Sequence, residues 1–347
     1  MHFVEAGKLI RAAAAAAVAG SWLAVTSAQA ADEKTYQMKI TLPTLNDSLH
    51  QYAKNLAAAV TAESGGRIKA EVFPASQLGS IPRQIEGTQF GAIQAANIPP
   101  EFFVGIDERF EVLGAPGLVD SMEHGQRLAA DPAVLKLMLG LGAQKGLHGV
   151  GLYVAQPSCI VSKTPIRNLS DFKGKKIRVF ASQFQTVAYE RLGVTPIVMT
   201  LGDVLPAIQQ GAIDGAVAGI GVFVNMHFHY AAKYVVETNQ PAIFIILQVS
   251  QKWYDSLPKE LQEIIDRDGI SESLAINAPA LKMYGEQRNT WVGNGGELIQ
   301  LLADEHLQMM KMLGSVGEDV SRSKPSLHEA FGIVADAARR TRQAPSQ

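Results

Sequence analysis

A single cysteine, Cys159, stands in this chain of 347 residues, so no internal disulfide supports the fold. It lies between Ser158 and Ile160-Val161 in a strand-like run and is expected to be buried and inert. Charge of one sign is also missing: 31 basic against 33 acidic residues give a formal net charge of −2. That balance lacks the basic surplus of nucleic-acid-binding domains, and no nucleic acid is expected as a partner. Beyond residue 30 no segment approaches about eighteen uninterrupted apolar residues, which excludes direct membrane insertion by a spanning helix in that part. Gly-x-Ser-x-Gly, His-Glu-x-x-His and Gly-x-x-x-x-Gly-Lys-Ser/Thr are absent, which removes the local signatures of serine hydrolases, zinc proteases and P-loop enzymes. His227-Phe-His229 and nearby Asn225 have no third ligand at metal-binding spacing. No metal and no cofactor are expected.

Residues 1–30 read as an export signal. Lys8 and Arg11 precede an apolar run from Ala12 to about Val25, and Ala28-Gln-Ala30 supplies a small-residue exit. A bacterial periplasm fits best, and removal of Glu5, Lys8 and Arg11 takes the formal charge to −3. The rest alternates strands and helices, the pattern of α/β layers. Tyr36–Thr41, Ile68–Phe73 and Ala92–Ala96 read as strands, with helices from Leu49 to Ala62 and from Pro82 to Phe90 between them. Val150–Val154 and Ile243–Val249 read as crossings between two lobes. Between them strands are expected at Ile177–Phe180, Pro196–Met199 and Ala212–Ala216, and helices at Phe184–Leu192 and Gly202–Gln210. Residues 31–155 plus 244–280 then form lobe I, and 156–243 plus 281–347 form lobe II. Ser256 is a candidate helix N-cap, the segment from Leu298 to Ala337 reads as terminal helices, and the polar end from Arg339 is expected to fray.

The most informative stretch is Asp171-Phe-Lys-Gly-Lys-Lys-Ile-Arg-Val-Phe180. Ile177 and Val179 alternate with Lys176 and Arg178, the period of a strand with one buried face, so Arg178 is the last charged side chain before the strand ends. By that pattern alone it is either a solvated strand arginine or a fork for a carboxylate. Leu192-Gly-Val-Thr-Pro196, Met199 and Ala207-Ile-Gln-Gln-Gly-Ala-Ile-Asp-Gly215 follow. Upstream stand Arg67-Ile-Lys-Ala-Glu-Val-Phe-Pro-Ala-Ser-Gln-Leu-Gly79 and Ile85-Glu-Gly-Thr-Gln-Phe-Gly-Ala-Ile93; downstream, Lys252-Trp-Tyr-Asp-Ser-Leu-Pro-Lys-Glu-Leu-Gln-Glu-Ile-Ile265. In this order, from about Lys39 to about Gly293, they resemble the solute-binding proteins of tripartite ATP-independent periplasmic (TRAP) transporters, the DctP family.

The resemblance implies a two-lobed periplasmic binding protein fold with a hinge, two crossover strands and a long lobe-spanning helix, which Gly269 and Pro279 should bend. It implies capture of a small organic acid for a membrane permease of small and large subunits, and no enzymatic activity. Arg178 occupies the position whose guanidinium holds the ligand carboxylate. Ala218 stands where many relatives carry an asparagine, Gln156-Pro-Ser158 where they carry a second arginine, and Leu201 where an aromatic is frequent. With one cation left, a second carboxylate would lack a partner. The expected ligand is a monocarboxylate with an apolar or aromatic body, near Arg178, Gln156, Phe180, Met199, Leu201, Ala218, Ile220 and Phe223. Asn46 and Gln77 are candidate hydrogen-bonding residues from the other lobe. The alternatives are a C4-dicarboxylate binder, a ligand-sensing partner of a membrane receptor and an exported enzyme on the same fold.

Overall fold

The protein's structure, a computed structural model, describes residues 34–342. The expected export signal and the last five residues lie outside the described residues. The strands are β1 (Tyr36–Thr41), β2 (Ile68–Phe73), β3 (Ala95–Ile98), β4 (Leu147–Pro157), β5 (Cys159–Ser162), β6 (Lys176–Val179), β7 (Thr195–Val198), β8 (Gly215–Ala218), β9 (Tyr234–Val236), β10 (Ala242–Ser250) and β11 (Glu297–Ile299). They form two sheets, ordered β2-β1-β3-β10-β4 and β11-β9-β5-β8-β6-β7. In the first, β1 runs parallel to β2 and β3, while β10 is antiparallel to β3 and β4. In the second, β6 lies parallel to both β7 and β8, and β5 is antiparallel to β8 and β9.

Local sequence explains these elements. Met38 and Ile40 of β1 are fully buried while Gln37 and Lys39 are exposed, the period-two pattern of a one-sided strand. Helix Ser48–Glu63 buries Leu49, Tyr52, Ala53, Leu56 and Val60, one face at helical spacing, against that sheet. All nine residues of β10 are buried, as a strand covered on both faces requires. The chain leaves the first sheet between β4 and β5 and returns between β9 and β10. A core cluster containing Ile98, Val154 and Phe244 of the first sheet also contains Ile160, Ile177 and Val179 of the second.

The long helix is two helices, Lys259–Ala275 and Asn277–Gly293, broken at Ile276. Pro279 explains the break, because its ring has no N–H for the carbonyl of Ala275 and crowds it. Gly269 does not interrupt the helix. A Cβ there would overlap the Val150 carbonyl, so the glycine brings the helix against β4, and Tyr52 Oη donates to its carbonyl at 3.0 Å. The second helix reaches helix Ile220–Asn225, which follows β8, and there Gln287 packs over Gly221.

Several boundaries differ from the sequence expectation. β3 starts at Ala95 rather than Ala92, because Ile93 folds over Gly87 and residues 92–94 complete the turn after the helix that Gly91 ends in the left-handed conformation. β8 starts at Gly215 rather than Ala212, since the amides of Ala212 and Ile213 bond back to the Ala207 carbonyl. Ser256 is no N-cap: its hydroxyl donates to Trp253 O, and Pro258 precedes the helix. Leu298 belongs to β11, parallel to β9, not to a terminal helix. Arg339 and Arg340 continue helix Pro325–Thr341, and Arg340 pairs with Asp131 at 3.1 Å, so that turn is tied down.

Candidate functional site

Parallel strands deliver their carboxyl ends to one place, a cleft. From the first sheet, the chain after β1 contributes Pro43, Thr44 and Asp47, and the chain after β3 contributes Pro99 and Phe102. From the second, β6 contributes Arg178 and then Phe180, Leu201 follows β7, and Gly219 and Val222 follow β8. Clefts at the carboxyl ends of strands are where open α/β sheets bind ligands. Leu49, Ile81, Ala155, Ile243 and Ile245 make most of the remaining wall apolar.

Arg178 is the only arginine or lysine in that lining among the described residues, and it is 1 % exposed. Two carbonyls hold it: Nε donates to Met199 O and Nη1 to Val217 O, each at 3.1 Å. Its Cζ lies 5.1 Å from the Phe180 ring centroid, and Phe180 in turn packs on Phe102 with centroids 5.1 Å apart. Nη2 has no protein hydrogen bond and no carboxylate lies within 4.0 Å of the guanidinium, among the described residues. Burial without a counter-charge pushes its pKa down to about 10. The side chain stays cationic at neutral pH and is poised for an anion.

Five sequence-identified residues, Arg178, Gln156, Phe180, Leu201 and Ala218, line this cleft together. Gln156 is 4 % exposed and spans from β4 to helix Ile220–Asn225, where Oε1 accepts the Gly221 N–H at 3.2 Å. Its side chain fills the space a Cβ on Gly219 would need. Met199 stands behind the cleft, and its contribution is the carbonyl that orients Arg178.

Four residues are elsewhere. Ile220 and Phe223 are fully buried in a separate core with Phe228 and Trp291. They stand on helix Ile220–Asn225, where each residue turns about 100°, so Val222 faces the cleft and Phe223 does not. Asn46 is exposed with φ 56°, and Gln77 is exposed in the turn where its amide bonds to Pro74 O. Neither lines the cleft. Thr44, Asp47 and Phe102 take the place foreseen for those amides, and the chain just past the carboxyl ends of β1 and β3 was the signal for them. Asp47 is 2 % exposed, and burial pushes its pKa up to about 6. Thr44 and the His50 amide partly oppose that rise.

The two histidines of the sequence motif lie apart from this cleft. His227 and His229 have ring centroids 5.8 Å apart at a steep angle, and His229 packs on Trp291. No group of three or more His, Cys, Asp or Glu side chains is placed to hold a metal among the described residues. Cys159 is buried, its thiol donates to Ala218 O at 3.4 Å, and burial raises its pKa well above the ordinary range. No helix of the described residues is long and apolar enough to cross a membrane.

Comparison with known proteins agrees with this architecture. The chain is 29 % identical over 64 % of its length to the uncharacterised protein YiiZ of Salmonella typhimurium, covering 67 % of that protein. It is 24 % identical over 84 % of its length to the C4-dicarboxylate-binding periplasmic protein DctP of Vibrio cholerae, covering 89 % of it. A TRAP periplasmic solute-binding protein from Desulfovibrio salexigens, solved with bound orotic acid, superposes with a TM-score of 0.84 at 21 % identity, over 89 % of this chain and 100 % of that one. The model of the bacterial extracellular solute-binding proteins, family 7, matches residues 41–323, and the chain belongs to that family, DctP.

Proposed function

We propose that the protein captures a small organic monocarboxylate with an apolar or aromatic body in this cleft and delivers it, in the periplasm, to the small and large membrane subunits of a TRAP permease. The observation that carries the reading is Arg178, a buried guanidinium with no carboxylate within 4.0 Å among the described residues, in a mostly apolar cleft. A ligand carboxylate would take the free Nη2 and neutralise the charge, and the Met199 and Val217 carbonyls already hold the fork in place, so little ordering remains to be done on binding. Phe180, Phe102 and the aliphatic wall offer an apolar body a dry surface. Lobe I (31–155 plus 244–280) and lobe II (156–243 plus 281–347) would close on it about the two connecting segments.

The relatives support an acidic ligand and differ in kind: the Vibrio cholerae protein is named for C4-dicarboxylates, and the Desulfovibrio salexigens protein holds orotic acid, a planar ring with one carboxylate. The C4-dicarboxylate reading is the second one. A thermal-shift panel of aliphatic, aromatic and 2-oxo monocarboxylates beside succinate, malate and fumarate separates them, since a ligand bound by the folded state alone raises the midpoint by mass action. Shifts with monocarboxylates that vanish in Arg178→Ala support the proposal. Shifts with dicarboxylates alone would replace it by the second reading. Recovery of a chemically altered acid would mean an enzyme instead.

A further inference from the structure

The wall of the cleft that belongs to the first sheet ends in two buried polar atoms, neighbours of each other, that lack a hydrogen bond of good geometry among the described residues. Asp47 and Thr44 are 2 % and 8 % exposed, and both line the cleft. Asp47 Oδ1 accepts the His50 N–H at 3.1 Å and caps helix Ser48–Glu63. Asp47 Oδ2 and Thr44 Oγ1 have no hydrogen-bond partner among the described residues. Thr44 lies close enough to favour the charged carboxylate, but not in hydrogen-bonding geometry. No ion pair joins Asp47 to Arg178, which stands on the other sheet. A buried acceptor without a donor is unusual in a folded protein and needs a reason. In a binding cleft the ligand is that reason.

We propose that Asp47 Oδ2 and Thr44 Oγ1 form a subsite that reads a hydrogen-bond donor, so that the ligand carries a hydroxyl or ammonium group at the end away from its carboxylate. This rests on the reading of the cleft as a carboxylate site. An ionised carboxylate only accepts, and it therefore rejects a second carboxylate or a carbonyl at that end. An acid ending in a methyl group would leave Oδ2 unpaired, whereas a donor there would meet Asp47 and Thr44.

The test uses matched acids and a substitution that spares the helix. Asp47→Asn keeps an oxygen for the His50 amide, since asparagine caps helices as well as aspartate, and replaces the free acceptor with an NH2 donor. Calorimetric titrations would compare hexanoate with its ω-hydroxy and ω-amino forms, and benzoate with para-hydroxybenzoate and para-aminomethylbenzoate. In the unaltered protein a donor-bearing acid should bind about tenfold to a hundredfold more tightly than its parent, the range of a hydrogen bond to a charged group. Asp47→Asn should abolish that gain, and for the ammonium acids reverse it. Thr44→Val should reduce the hydroxyl gain about threefold. Parent acids that bind as tightly as their donor-bearing forms would overturn the subsite, as would an unchanged ratio in Asp47→Asn. Acids that bind equally well to Arg178→Ala, or no binding by any acid, would sink the carboxylate reading and the subsite with it. Which donor gives the larger gain identifies the end group.

Discussion

Arg178→Met tests whether the arginine serves the ligand or the fold, because the two roles differ in magnitude. With the guanidinium 1 % exposed and its pKa pushed down to about 10, the charge sits in the ligand-free protein at a cost on the order of 3 kcal/mol, at roughly 1.4 kcal/mol per pH unit. Methionine removes that cost and fills much of the same space. Against this, the Met199 and Val217 carbonyls lose their donors, which costs about 1 to 3 kcal/mol each. The opposing effects largely cancel, so stability in urea should lie between about 1 kcal/mol higher and about 3 kcal/mol lower than in the unaltered protein. Binding has no such cancellation. Removing one partner of a desolvated charge pair costs about 2 to 5 kcal/mol, or roughly thirtyfold to a few thousandfold in Kd. Calorimetric titration beside urea denaturation reads both numbers on one preparation. A Kd within threefold of the unaltered protein would refute the carboxylate clamp, and destabilisation beyond about 4 kcal/mol would make Arg178 a structural residue.

Two other side chains give separate predictions. Asn225 Nδ2 donates to Leu45 O at 2.6 Å and Asn46 O at 3.2 Å, tying the helix after β8 to the loop after β1. Asn225→Ala should raise the ligand off-rate about fivefold to tenfold in stopped flow with little change in the on-rate, and an unaltered off-rate would show that this contact does not hold the cleft shut. Glu101 is 1 % exposed with Oε2 unpartnered, and burial, reinforced by the Glu111 charge, pushes its pKa up to about 8. A carboxyl whose folded value is raised stabilises the protein below its ordinary value near 4.5, and that stabilisation is lost as pH climbs to 8. Glu101→Gln should thus differ little from the unaltered protein at pH 5 and be more stable by on the order of 3 to 5 kcal/mol at pH 8. Equal differences at both pH values in urea denaturation would remove the carboxyl as the cause.

The fold was legible wherever one physical rule governs a segment. Alternation placed β1 and β2 to the residue, and the buried run of β10 was visible as an apolar crossing. Errors came where a turn competes for the same residues, as when the amides of Ala212 and Ile213 bond back to Ala207 O and delay β8. Within the site, Arg178, Phe180 and Leu201 were readable because each stands at or just past the carboxyl end of a parallel strand. Phe223 was misplaced because a helix begins at Ile220, and a single step along it turns a side chain from the cleft into the core. Asn46 and Gln77 have the right chemistry in the right loops, yet their backbones form the turns and leave their side chains exposed. Thr44 and Asp47, close by, carry the buried atoms. Periodicity does not report which of several neighbouring polar residues turns inward.

Asp47 also decides between the two ligand readings, through its charge. A dicarboxylate held by Arg178 has its second carboxylate in a cleft with no other arginine or lysine in the lining, where Asp47 is the ionisable group left to meet it. Two carboxylates in one desolvated site do not both ionise, so that complex must hold a proton shared between Asp47 and the second carboxyl. Burial has pushed the Asp47 pKa up to about 6, which puts the change in a measurable range. Below pH 6 that proton is readily available and succinate is tolerated; above it the ionised pair repels and an ammonium is attracted instead. Succinate affinity should therefore fall by up to tenfold for each pH unit above about 6, while the affinity of an ω-amino acid rises until Asp47 is fully ionised. Calorimetry at pH 5, 6, 7 and 8 on the unaltered protein and on Asp47→Asn measures both trends, and the variant should flatten them. Tight succinate binding that stays constant across this range in the unaltered protein would mean that Asp47 does not meet the second carboxylate, and the preference for a monocarboxylate would go with it.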